Sequence, residues 1–429
     1  MCVLLRTNVS TVPVAPPIVR FLLICLTTFW LCVFCTVVRA QPQPIDSIKP
    51  RRPNFKTEKV VQCGAARKEV WLPMLEERNV ALVANHSSKV DGKHLLDIFL
   101  ENGVALRRIF APEHGFEGML SAGEAVRDSK LKDLGVKVIS LYGRNKKPTY
   151  DHLADVDVVV FDIQDVGVRY YTYISTMHYV MQACAEMGKE FIVLDRPNPN
   201  GFYVDGPVLE PGFTSFVGLH PVPLVHGMTI GEYAQMINGE GWLGAGLSCS
   251  LQVVSCLHYD HNDFYMLPEK PSPNLPNMAA VFLYPSLGLF EGTRVSVGRG
   301  TEKPFQYIGF PGHNRSEILF APVAREGAAK PPYEGDTCGG YDLEKMGMEV
   351  LPWRRGIYLH WLLNMYEVFP DKSQFFLPNN FIDLLAGTNR LRLGIVEGKK
   401  EEEIRAEWEK GIGQFRKTRA KYLLYPDFD

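Results

Sequence analysis

The chain lacks the signatures that mark most nucleotide- and metal-dependent enzymes. After its first strand-like segment, Asn85-His86-Ser87-Ser88-Lys89 offers neither G-x-G-x-x-G nor G-x-x-x-x-G-K-[ST], so dinucleotides and nucleoside triphosphates find no glycine cradle. No H-E-x-x-H or other paired-histidine spacing signals zinc, and no G-x-S-x-G elbow marks a serine hydrolase. No cofactor and no metal is therefore expected. A basic excess is missing too: 46 Lys and Arg face 48 Asp and Glu, a formal charge of -2, which argues against a nucleic-acid partner. The 30 prolines and 37 glycines follow no period, which excludes collagen-like and simple repeat architectures. Cysteine is scarce beyond residue 40, where only Cys63, Cys184, Cys249, Cys256 and Cys338 remain. That odd set has no C-x-x-C spacing, so packing rather than cross-links is expected to hold the fold.

What is present fits a soluble enzyme of two domains. A chain of 429 residues exceeds one ordinary core, and 46% hydrophobic with 22% charged residues suits a packed globule. Arg6 and Arg20 precede an uncharged, mostly apolar run from Phe21 to Val38, and Val38-Arg39-Ala40 then meets Gln41. Residues 1–40 read as a secretory signal, or as a retained N-terminal anchor, given the run's length. Export to a periplasmic or extracellular location is the expectation, with membrane contact only if the segment is retained. Its removal leaves 43 basic against 48 acidic side chains. Residues 41–57 follow as a Pro-rich linker.

From there strands and helices alternate. Val80–Ala84, Arg107–Ala111, Val136–Leu141, Asp157–Phe161 and Glu190–Leu194 read as strands, the fourth apolar enough to be buried on both faces. Helices are expected over Asp91–Glu101, Thr149–Ala154 and Tyr171–Met187, the last stopped by Gly188. This rhythm predicts an α/β fold with a doubly wound parallel sheet.

In such sheets ligands sit beyond the carboxyl ends of the strands. Here those ends are polar: Asn85-His86-Ser87-Ser88, Glu113-His114-Gly115, Asp162-Ile163-Gln164-Asp165 and Asp195-Arg196-Pro197-Asn198. Any one of these could be a solvated loop residue. As a set they predict a site, because Asp162 and Asp195 directly follow apolar strands, where unpaired charge is costly. The 198–228 connection is long enough to be functional, with Phe202, Tyr203, Phe213, Phe216 and His226 as candidate pocket walls. Tyr170-Tyr171-Thr172-Tyr173 could stack on a sugar or pack the helix start. Thr229-Ile230-Gly231-Glu232 reads as a capping box and carries no chemistry.

A domain boundary is placed near residue 262, where prolines crowd. Asn277–Phe290 reads as strand and turn. The 291–302 segment mixes glycines with Arg294, Arg299, Glu291 and Glu302, suited to close backbone approach and to gripping a carboxylate, or simply to a solvated hairpin. Glu401–Tyr422 reads as an amphipathic helix with Ile404, Trp408, Ile412 and Phe415 on its apolar face.

Five motifs in order, Ala111-Pro112-Glu113-His114-Gly115, Phe161 to Arg169 (FDIQDVGVR), Leu194 to Pro199 (LDRPNP), Val225 to Thr229 (VHGMT) and Glu291-Gly292-Thr293, resemble the NamZ family of exo-β-N-acetylmuramidases. That family, formerly a domain of unknown function, is now counted among the glycoside hydrolases. The resemblance runs from about Val80 to the C-terminus. It implies a Rossmann-like catalytic domain over 58–262, a smaller C-terminal α/β domain over 263–429, and a cleft between them. It also implies release of N-acetylmuramic acid from the non-reducing end of peptidoglycan fragments in cell-wall turnover, with muramyl saccharides as partners. His86 stands where the family pattern has Gln or Pro, so no role is carried over to it. Two other readings stay open: a non-catalytic muropeptide-binding protein, and a nucleotide-sugar enzyme on the same sheet.

A glycosidase needs an acid for the leaving oxygen and a second group at the oxocarbenium-like centre. Glu113 is the expected acid, with Glu124 or Glu291 as substitutes. Asp162 or Asp165 would orient a substrate acetamido group or act directly. Substrate contacts are expected from Asn85, His114, Gln164, Arg169, Tyr171, Asp195, Arg196, Asn198, His226, Glu291 and Arg299. The lactyl carboxylate of muramic acid calls for an arginine, among Arg169, Arg196, Arg294 and Arg299, with Arg299 preferred.

Overall fold

The computed structural model describes residues 60–116, 129–131, 135–244 and 246–428. Residues 1–40, read above as a signal or anchor, the 41–57 linker and Glu124 lie outside the described residues. Nine short segments up to Val254 become strands: β1 (Val80–Ala84), a small hairpin of β2 (Lys89–Val90) and β3 (Lys93–His94), β4 (Leu106–Ala111), β5 (Ser129–Leu131), β6 (Val136–Ser140), β7 (Val158–Asp162), β8 (Glu190–Leu194) and β9 (Ser250–Val254). All but the hairpin join one sheet in the order β5-β6-β4-β1-β7-β8-β9. Six of these strands are parallel, and β5 runs antiparallel to β6 at one edge.

The central strands β1, β7 and β8 are buried on both faces, and alternate side chains feed two different cores. Val80, Leu82 and Ala84 pack with Trp71, Leu95 and Phe99 on one face. Ala81 and Val83 pack with Phe161, Ile174, Met177, Val180 and Tyr233 on the other. A strand with helices on both sides needs apolar residues at every position, and VALVA and VVVF supply them. The helix Tyr173–Met187 ends on Gly188 in the left-handed region (φ 62°), whose N–H bonds the Cys184 carbonyl. The helix Ile230–Gly239 starts on the expected box: Thr229 N–H donates to Glu232 Oε2 at 2.9 Å, and Glu232 N–H to Thr229 Oγ1 at 3.3 Å.

Several expectations need correction. The helix expected over Asp91–Glu101 begins at Leu95, because Asp91 and Gly92, both at positive φ, turn the β2–β3 hairpin. Asn277–Phe290 is not strand and turn; Met278–Leu287 is a helix buried at all ten positions. A segment apolar all round carries no periodicity from which to choose. The tail is two helices, Glu401–Ala406 and Glu409–Arg419, although Ile404, Trp408 and Phe415 are buried as expected.

The second, smaller domain carries an antiparallel sheet in the order β10-β12-β11, from β10 (Tyr307–Pro311), β11 (Ile318–Phe320) and β12 (Cys338–Asp342). Arg169, fully buried, ties it to the large sheet. Its Nη1 donates to the Pro207 and Val222 carbonyls at 2.8 and 2.6 Å, and its Nη2 to the Leu385 carbonyl at 3.0 Å in the helix Phe381–Ala386.

Candidate active site

β4 ends at Ala111, and the chain then turns through Pro112 and Glu113 into two left-handed residues, His114 (φ 69°) and Gly115 (φ 76°). That turn directs Glu113 into a cavity of about 490 Å³. The walls come from both domains. Tyr142, Lys146 and Tyr171–Tyr173 stand on the large-sheet side with Phe216 and Val217 of the long connection. Tyr284, Glu291, Arg299, Phe305, Phe381 and Leu385 stand opposite, and Ser272, Asn274 and Leu275 add the inter-domain segment.

Glu113 is half-buried, and its Oε2 accepts from Thr172 Oγ1 at 2.6 Å. Tyr142 also hydrogen-bonds this carboxylate; burial, then the Glu113 charge, pushes its phenol well above the usual range. Across the cavity, Arg299 Nε and Nη2 both donate to Glu291 Oε1, at 3.0 and 2.7 Å, and the guanidinium lies 4.9 Å from the Phe305 ring centre. Burial alone would lower the Arg299 pKa, but the Glu291 charge and hydrogen bonds outweigh it and raise the pKa. Arg299 Nη1 is buried and has no hydrogen-bond partner among the described residues. The guanidinium is thus held by one carboxylate with donor capacity to spare.

Of the residues singled out from sequence, the structure brings Glu113, His114, Glu291 and Arg299, the Tyr170–Tyr173 cluster and Phe216 to this cavity. The rest of the rim points inward. Asp162 is fully buried and takes Arg196 in a two-pronged pair, Nε to Oδ1 at 2.6 Å and Nη2 to Oδ2 at 2.9 Å. Asp195 accepts from Gly231 N–H at 2.7 Å, Thr229 Oγ1 at 2.7 Å and the Tyr425 hydroxyl at 2.5 Å, so it anchors a helix start and the C-terminal segment. Burial raises its pKa to about 6. Asn85 donates to the Tyr173 hydroxyl, Gln164 to the Asp165 and Pro197 carbonyls, and Asn198 to the Met228 carbonyl. Asp165 is buried, its Oδ2 accepting from Gly167 N–H at 2.6 Å and standing 4.0 Å from His226 Nε2. Burial lifts the Asp165 pKa to about 7 and drops that of His226 to about 3. Of the remaining arginine candidates, Arg169 is spent on backbone carbonyls, while Arg294 is exposed, bonds Gln374 and lines a different hollow. Phe202, Tyr203 and Phe213 do not line the cavity either.

Sequence reasoning passed over Tyr142, Lys146, Tyr284, Phe305 and Phe381. Tyr142 follows the end of β6, so the carboxyl-end rule that found Glu113 could have found it. Tyr284 was hidden by reading its helix as strand. Among the described residues no three His, Cys, Asp or Glu side chains group as metal ligands.

A doubly wound sheet with a second domain closing an aromatic, carboxylate-bearing cavity is the frame of a two-domain α/β protein that handles a small polar ligand. Two family models divide the chain between them: residues 80–279 match "Exo-beta-N-acetylmuramidase NamZ, N-terminal" and residues 282–425 match its C-terminal counterpart. A Bacillus subtilis (strain 168) protein named peptidoglycan beta-N-acetylmuramidase NamZ is 39% identical over 379 residues, 82% of this chain and 88% of its own length. Two crystal structures of DUF1343 family proteins from Bacteroides fragilis NCTC 9343 are also similar. One has a TM-score of 0.80 at 42% identity, over 86% of this chain and 100% of that one. The other has 0.73 at 30%, over 85% and 99%. The chain belongs to the NamZ exo-β-N-acetylmuramidase family.

Proposed function

We infer that this protein is an exo-acting glycosidase that releases N-acetylmuramic acid from the non-reducing end of peptidoglycan-derived muramyl saccharides, with Glu113 as its general acid. The observation that carries the catalytic assignment is the Glu113 carboxyl itself, half-buried in the cavity and held by Thr172 and Tyr142. Cleaving a glycoside requires a proton at the leaving oxygen, and a positioned, partly desolvated carboxyl is a suitable donor.

The second group comes from the substrate. Asp162 and Asp165 do not line the cavity, and Glu291 is engaged by Arg299. The 2-acetamido carbonyl attacks the anomeric carbon while Glu113 protonates the departing oxygen; water then opens the cyclic intermediate with Glu113 as base. Arg299 receives the lactyl carboxylate, since among the arginine candidates it is the one that lines the cavity. The tyrosines and Phe305 offer ring faces and hydroxyls to the sugar. The decisive experiment incubates the purified chain with a disaccharide carrying N-acetylmuramic acid at its non-reducing end and quantifies the free monosaccharide. Release is expected; saturable binding without release would leave a wall-fragment binding protein.

Export is part of the same proposal. The basic, then apolar, then small-residue order of residues 1–40 supports it, and a mature protein starting at Gln41 is the expected N-terminus. A chain recovered from membranes with Met1 intact would make the segment an anchor.

A further inference from the structure

We propose that Cys63 and Cys256 form a redox-addressable pair, which closes into a disulfide under oxidising conditions and pins the start of the fold to the segment leaving the last strand of the large sheet. The backbone sets the juxtaposition. Gln62 and Leu257 exchange both hydrogen bonds of an antiparallel bridge, Gln62 N–H to the Leu257 carbonyl at 3.0 Å and Leu257 N–H to the Gln62 carbonyl at 2.8 Å. One step along from such a bridge the facing pair is non-hydrogen-bonded, with Cα atoms roughly 4.5 Å apart and both side chains on one face. Here that pair is Cys63 and Cys256. Disulfides span Cα separations of about 4.4–6.8 Å, so the frame accepts one with little backbone movement.

Both sides of the pair are held in place around Asp195. Gly64 N–H donates to the Asp195 carbonyl at 2.7 Å, and Cys256 N–H to the Tyr425 hydroxyl at 2.8 Å. Arg67 Nη1 reaches across to the Ser255 carbonyl at 2.9 Å. Both cysteines belong to one small apolar cluster with Tyr259 and Tyr425. Cys184 and Cys249 share no such ladder.

Cys63 is partly exposed and Cys256 buried, so Cys63 meets an external partner first. Its thiolate attacks one sulfur of a disulfide donor, such as glutathione disulfide or the oxidised dithiol of an exported oxidoreductase, expelling the donor's other sulfur as a thiolate. The Cys256 thiolate then attacks the Cys63 sulfur, forms the protein S–S bond and expels the donor's remaining half. Two protons leave the protein thiols, and the donor's disulfide takes up two electrons. The closed loop contains every strand of the large sheet, so it restricts the unfolded chain strongly.

The test uses the full chain, incubated at pH 8.5 with glutathione disulfide. Remaining thiols are alkylated, and the digest is mapped by fragment mass spectrometry before and after reduction. Peptides joined through Cys63 and Cys256 are expected in the wild type and in Cys249→Ser, and not in Cys63→Ser. The thermal midpoint should rise on oxidation in the wild type and stay put in Cys63→Ser. Recovery of both cysteines alkylated, or a link from Cys63 to Cys249 instead, overturns the proposal, and this mapping decides it even if a variant folds poorly. The cavity assignment is untouched by either result.

Discussion

Glu113→Gln keeps the side chain's shape and its bond from Thr172 but removes the transferable proton. Turnover on a muramyl disaccharide should fall roughly 10²–10⁴-fold, the usual worth of general acid catalysis, with the thermal midpoint unchanged. Arg299→Lys keeps a charge but loses the planar fork that Glu291 holds and that would grip a carboxylate. The ratio of kcat/KM for muramyl over glucosaminyl substrates should drop about tenfold, the scale of one charge-assisted hydrogen bond. Asp165 gives a prediction with a definite sign. Burial raises its carboxyl from 3.8 unfolded to about 7 folded, so folding favours the protonated acid. Its stabilising contribution is complete below pH 3.8 and is lost as pH rises through 7, by at most about 4 kcal/mol. Asp165→Asn should therefore flatten this fall in stability and surpass the wild type at pH 8, as read by urea unfolding at pH 5 and 8.

At the level of elements, Thr229→Ala removes an oxygen that accepts from Glu232 N–H and donates to buried Asp195. Chemical denaturation should show a loss of about 1–2 kcal/mol. That capping box was legible because caps are local: four residues in sequence define them. The parallel strands were legible for a related reason, since burial on both faces writes itself as an unbroken apolar run. β9 was not, because Ser250–Val254 lies at the sheet's edge and only Val254 is buried, so its sequence has no such run. Five of the fourteen candidate site residues line the cavity. Several of the others, Asp162 and Asp195 among them, do lie at strand ends, but the direction of a side chain depends on its partner. Arg196 lies 34 residues from Asp162 and Tyr425 lies 230 from Asp195, separations at which local pattern is silent.

Across the whole molecule, Arg169 is a buried tie between the two lobes. Replacing it by Met removes the donor to the Pro207 and Leu385 carbonyls and one of two donors to the Val222 carbonyl, which keeps the Leu209 N–H. A cost of about 3–5 kcal/mol is expected, and calorimetry should show either one lowered transition or its splitting into two. The family resemblance foretold the pairing of a large sheet with a smaller α/β unit. Composition alone gave no more than the number of domains, because nothing in residue counts records which surfaces meet.

The ion pair of Asp162 and Arg196 has a bearing on how such a protein can diversify. Doubly wound sheets usually leave a crevice above their strand tips for a ligand; here a buried salt link and the Asp195 cap occupy the tips of β7 and β8. In the proposed site, recognition falls to loops and a neighbouring lobe, where Phe216, Lys146 and Phe381 line the cavity. On that proposal, substitutions there change which fragments are accepted and leave the buried Asp162–Arg196 pair in place.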